Sequence, residues 1–111
     1  MTTITNADHR RWQYAALDVL GAITADAVAL PPLAWRVATT AQLQGEPDSG
    51  TPADRLATLT EWARHLGIDL TERTGPDGAV TRHGHTERTA KNGKSVTIGL
   101  YLRSWPDDDE S

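Results

Sequence analysis

The stretch AVTRHGHTERTAKNGKSVTIGLYLRS, residues 79–104, decides the fold. Ala79 to Ala90 and Ser95 to Ser104 read as strands, and Asn92-Gly93 between them is a strong hairpin signal because both residues tolerate positive φ. In the later run, Val96, Ile98, Leu100 and Leu102 recur at every second position, so one face of that strand is apolar and belongs to the core. A two-residue turn at Asn92-Gly93 sets Lys91 opposite Lys94 and Arg82 opposite Arg103. In that register Arg82, Thr86 and Arg88 share a face with Thr97, Tyr101 and Arg103, while His83, His85, Glu87 and Thr89 stand with the apolar set. The Arg/Tyr face is expected to look away from the helices, toward water or a partner.

Working outward, Ile68 to Arg73 reads as a short strand joined to this hairpin by the turn Gly75-Pro-Asp-Gly78. Before it, Thr51-Pro52-Ala53-Asp54 is a helix start: Thr51 caps, Pro52 has its φ preset for the first helical position, and Asp54 lies three residues after the cap. Leu56, Leu59, Ala63 and Leu66 form that helix's apolar face, with Trp62 beside them, and Gly67 ends it. Residues 45–50 are a loop by composition. Leu33, Trp35, Val37, Thr39, Ala41 and Leu43 alternate with more polar neighbours, the pattern of one half-buried strand. A first helix, capped by Thr5 or Asn6, carries Trp12, Ala16, Val19, Leu20 and Ile23 in a stripe that Tyr14 and Leu17 widen; it ends before Pro31 and Pro32. The expected fold is α+β, a two-layer sandwich of order α-β-α-β-β-β, with a four-stranded, mostly antiparallel sheet and both helices on one face. Residues 1–106 form the expected single domain, and 107–111 a disordered acidic tail.

Composition narrows the functional classes. The chain has 111 residues, enough for one domain with a sufficient aliphatic core, and no Cys, which excludes disulfides, thiolate metal sites and a cysteine nucleophile. No apolar run approaches the length of a signal peptide or a membrane helix, so a cytoplasmic setting is expected and no membrane partner. Net charge is −4, but residues 79–105 carry five cations against Glu87 alone. The hairpin is thus a cationic segment inside an acidic chain.

The candidates for chemistry are thin. His83-Gly84-His85 puts two imidazoles on one side of a strand, a spacing that suits zinc, but two further ligands would have to converge, with Glu87 and His65 the nearest candidates; no metal or other cofactor is expected. The acids fall on helix starts, loops and the tail, no Ser sits in a nucleophile elbow, and the turn glycines make no phosphate loop. No catalytic residue is expected and the chain is read as a non-enzyme. The candidate binding residues are Arg82, Arg88, Tyr101 and Arg103 on the outward face, with Trp105 extending it as an aromatic anchor.

The segments Leu30-Pro-Pro-Leu-Ala-Trp-Arg-Val37, Leu43-Gln-Gly-Glu46 and Leu59-Thr-Glu-Trp-Ala-Arg-His-Leu-Gly67 resemble those of short uncharacterised proteins of Streptomyces and related actinobacteria, their phages and mobile elements. The resemblance covers roughly residues 30–67 and is carried by fold-forming residues. It implies kinship and a cytoplasmic setting, and it transfers no catalytic residue. The expectation that follows is a non-catalytic protein-interaction or regulatory accessory protein, binding through the outward face of the meander. The alternative is a nucleic-acid-binding regulator using the cationic hairpin 79–105. Homodimerisation through a sheet edge is a further expectation.

Overall fold

The computed structural model describes residues 3–105. Helix α1 spans Asn6–Asp26, strands β1 and β2 span Ala34–Ala38 and Gln42–Glu46, helix α2 spans Pro52–Leu66, and strands β3, β4 and β5 span Thr71–Thr74, Val80–Thr89 and Ser95–Ser104. Both helices start as capping boxes. The Thr51 hydroxyl accepts from the Asp54 N–H at 3.1 Å, and the Asp54 carboxylate accepts from the Thr51 N–H at 3.1 Å; Thr5 and Asp8 repeat the arrangement on α1. Each carboxyl is held below its ordinary range, chiefly by the threonine backbone N–H it accepts. Gly67 closes α2 with φ of 73°.

The order α-β-α-β-β-β with four strands is corrected to α-β-β-α-β-β-β with five. The single strand expected across residues 33–44 is a hairpin, in which Val37 pairs with Leu43 and Ala38 with Gln42. Its turn, Thr39-Thr40-Ala41, contains no Gly, Asn, Asp or Pro, so the sequence carries no ordinary turn signal. Ala41 instead takes the left-handed conformation, φ 59°, and is buried. The sheet runs β1-β2-β5-β4-β3 and is mixed: β2 pairs with β5 in parallel and the other neighbours are antiparallel. β5 is the central strand.

Both helices pack on one face of this sheet. Ala15, Ala16, Val19 and Ile23 of α1 and Leu59, Trp62, Ala63 and Leu66 of α2 join Leu43, Val96, Ile98, Leu100 and Leu102 in one buried cluster. Each fully buried aliphatic side chain contributes about 1.5–3 kcal/mol, so this layer dominates stability. Trp62 stands at its rim, donating from Nε1 to the Pro31 carbonyl at 2.7 Å and meeting Trp35 edge-on at 5.7 Å. Trp35 lies across Gly45, where a Cβ would come within 2.9 Å of the ring. Tyr14 and Leu17, expected to widen the apolar stripe of α1, are exposed.

The register of the β4–β5 hairpin also differs from the expectation. The turn has three residues, Lys91-Asn92-Gly93: the Ala90 N–H donates to the Lys94 carbonyl at 2.9 Å, and Gly93 sits at φ 85°. This is a turn followed by a left-handed residue rather than a two-residue loop. Thr89 therefore pairs with Ser95, Arg88 with Val96 and Arg82 with Leu102. A shift of one residue moves every β4 side chain to the other face. Val96, Ile98, Leu100 and Leu102 face the helices as expected, but Arg82, Thr86 and Arg88 now stand with them, and His83, His85 and Glu87 face outward.

Candidate functional site

The face of the sheet opposite the helices is uncovered among the described residues. Register and alternation place on it Arg36 from β1, Gln42 and Gln44 from β2, Thr97, Gly99, Tyr101 and Arg103 from β5, and His83, His85 and Glu87 from β4. Gly99 lies at the middle, between Gln44 on one neighbour and His85 on the other. Having no side chain, it forms the floor of a shallow trough of about 570 Å³. Arg36, Gln42, Gln44, His83, His85, Thr97 and Tyr101 line the trough, together with backbone and parts of flanking residues, and no Asp or Glu lines it. None of these seven side chains makes a hydrogen bond or ion pair with another described residue. Their donors and acceptors are unspent.

The five residues expected to bind do not share one surface. Arg82 lies on the helix side, 3.7 Å from Glu72, and lines a cleft with Pro52, Ala53 and Leu56 at the start of α2. Arg88 also lies on the helix side and donates to the Leu66 carbonyl at 3.0 Å. That carbonyl belongs to the last turn of α2, where backbone acceptors lack intrahelical partners and a cation is favourable. Tyr101 and Arg103 are on the open face. The Arg103 guanidinium is held by Asp77 at 3.1 Å and lies 4.7 Å over the Trp105 ring. Trp105 is 43% exposed and lines the same cleft as Arg82 beside the start of α2. Among the described residues, no three His, Cys, Asp or Glu side chains gather closely enough to hold a metal ion, and no helix is long and apolar enough to cross a membrane.

Sequence reading missed the trough itself. Arg36, Gln42 and Gln44 converge only because residues 34–46 fold back on themselves, and His83 and His85 reach it only through the shifted register. One signal was available. Glycine inside a strand lacks a side chain to pack and often marks a place where another molecule approaches the backbone.

No family model, no curated protein and no solved structure matches this chain. The functional reading therefore stands on the geometry of the open face. The acidic stretch 107–111 lies outside the described residues.

Proposed function

We propose that this chain is a non-catalytic binding protein, and that its working surface is the open face of the sheet, presented to another protein. The observation that carries the reading is the trough over Gly99, with seven polar side chains around it whose hydrogen-bonding capacity is unused within the described residues. The trough is shallow, and small-molecule sites normally enclose most of their ligand, so a macromolecular surface fits it better. Arg36 and Tyr101 are residue types enriched at the energetic centres of protein interfaces. The role proposed is the cytoplasmic, accessory or regulatory one expected from the sequence. Edge-to-edge self-association is disfavoured because the edge strands are short, five residues in β1 and four in β3. Nucleic acid is the weaker partner: Arg82 and Arg88 lie on the far side, Arg103 is engaged by Asp77, and among Phe, Tyr and Trp the trough holds Tyr101 alone.

The test is affinity capture from a lysate of the source organism, with quantification of the bound proteins. Thr97→Tyr, which adds bulk on the open face of a strand, is expected to abolish capture of the specific partner. Arg88→Gln, on the helix side, is expected to retain it. Capture that survives Thr97→Tyr, or that is lost equally in Arg88→Gln with the fold intact, refutes the assignment. A gel shift with mixed DNA and RNA at low salt is expected to show no complex.

A further inference from the structure

Gly99 is a glycine that the fold does not need. Its φ is not positive, and a Cβ built on it would make ordinary contacts with the Leu43 and Gly84 carbonyl oxygens at 3.7 and 3.9 Å. The other two strand glycines contrast with it. A Cβ at Gly45 would strike Leu33 and Trp35, and one at Gly84 would come within 2.5 Å of the Asp69 carbonyl oxygen. Glycine in a strand interior is less stabilising than alanine, yet at Gly99 packing returns nothing for that cost. What its bare Cα does is keep the trough floor open.

The lining is one-sided in charge. Arg36 brings a guanidinium with no carboxylate partner among the described residues. Gln42 and Gln44 bring amide N–H groups, Thr97 and Tyr101 hydroxyls, and His83 and His85 ring N–H groups. In a chain of net charge −4, this is a patch whose one formal charge is the Arg36 cation and whose lining holds no acid. Glu87 and Glu46 stand on the same face but outside the lining.

Resting on the assignment of the open face above, we propose that the partner enters the trough with an acidic segment, an Asp or Glu carboxylate seated over Gly99 against Arg36. A carboxylate meets no like charge in the lining, can accept from the amide N–H and hydroxyl groups there, and offers two oxygens that match the planar guanidinium of Arg36. The trough admits more than one side chain, so a run of acidic residues fits it better than an isolated one.

The experiment titrates the isotope-labelled full chain with synthetic hexaglutamate, with hexalysine and inorganic phosphate as separate arms. Hexaglutamate is expected to shift the amides of Thr97, Gly99 and Tyr101 saturably. The affinity falls about tenfold in Arg36→Gln, the loss of one charge-assisted hydrogen bond, and by a similar factor in Gly99→Ala. Gly99→Ala is expected to melt no lower than the wild type, which a purely structural glycine would not allow. Arg36 is exposed on an edge strand, so its variant reports even if an alanine at position 99 perturbs the sheet. The proposal is overturned if hexaglutamate gives no saturable shift, if hexalysine shifts the same amides equally, or if Gly99→Ala and Arg36→Gln bind like the wild type. Saturation by phosphate at the same concentrations overturns it in favour of a phosphorylated ligand. Any of these results leaves the open-face assignment standing as long as Thr97→Tyr still abolishes partner capture.

Discussion

Ala41 and the three strand glycines show how much one side chain decides here. Ala41 is 3% exposed and holds φ of 59°, a conformation that costs an L-residue about 1–2 kcal/mol. Its carbonyl accepts from the Thr97 N–H at 3.0 Å, so the strained residue also stitches the first hairpin to the central strand. Ala41→Val is expected to lower stability by about 2 kcal/mol in urea denaturation, because a β-branched residue tolerates positive φ worst. Gly84→Ala is expected to be as severe, since the clashing atom is the Asp69 backbone oxygen, which cannot swing aside. Gly45→Ala is expected to be milder and to alter the near-ultraviolet circular dichroism, because the Trp35 ring must move relative to Trp62.

At the scale of elements, the helices announce themselves, as does the Gly75-Pro-Asp-Gly78 turn, but the other two hairpin turns do not. Thr51-Pro52 and Gly67 delimit α2 by local chemistry that tertiary contacts do not override, and Thr5 with Asp8 does the same for α1. The Thr39-Thr40-Ala41 turn is invisible because its left-handed position is filled by alanine. The Lys91-Asn92-Gly93 turn is ambiguous for another reason: Asn-Gly suits a two-residue loop, but Gly also suits the last position of a three-residue one. That ambiguity of one residue exchanged His83 and His85 for Arg82 and Arg88 on the outward face, while the apolar alternation of β5 placed Tyr101 and Arg103 outward in either register. Arg88 consequently belongs to α2. Arg88→Glu is expected to destabilise the protein modestly, by about 1 kcal/mol, by removing the bond to the Leu66 carbonyl and placing an anion at a helix C-terminus. The capping carboxyls give a pH dependence. The folded pKa of Asp54 lies below its unfolded value, so its stabilisation is present above the ordinary carboxylate range and is lost as pH falls through the lowered value. Asp54→Asn is expected to flatten the fall in urea midpoint as pH drops below the ordinary carboxylate range.

For the molecule as a whole, stability is graded outward from β5. Val96, Ile98, Leu100 and Leu102 are buried to 5% exposure or less, and β5 has a strand on either side. β3, at one edge, has all four residues exposed. Native-state hydrogen exchange is expected to be slowest at Val96–Leu102 and fastest in Thr71–Thr74, and uniform protection across the sheet would contradict this gradient. The hairpin tip is tied back to α1, where the Lys91 N–H donates to the Asp18 carboxylate at 2.9 Å and Lys94 lies 5.0 Å over the Trp12 ring.

The strand at the centre of the sheet is also the fifth in chain order, and this has a consequence for biosynthesis. While the polypeptide emerges from the ribosome, β1 with β2 and β3 with β4 can form at most separate two-stranded ribbons, each with a bare inner border, and the apolar side of the first, Trp35, Val37 and Leu43, has nothing to rest on. Neither ribbon gains its second neighbour until residues 95–104 have been made, so the nascent chain passes through an interval in which two sticky borders are exposed together. A stop codon anywhere before Ser95 prolongs that interval indefinitely and yields a product suited to aggregation and proteolysis rather than a smaller version of the same protein.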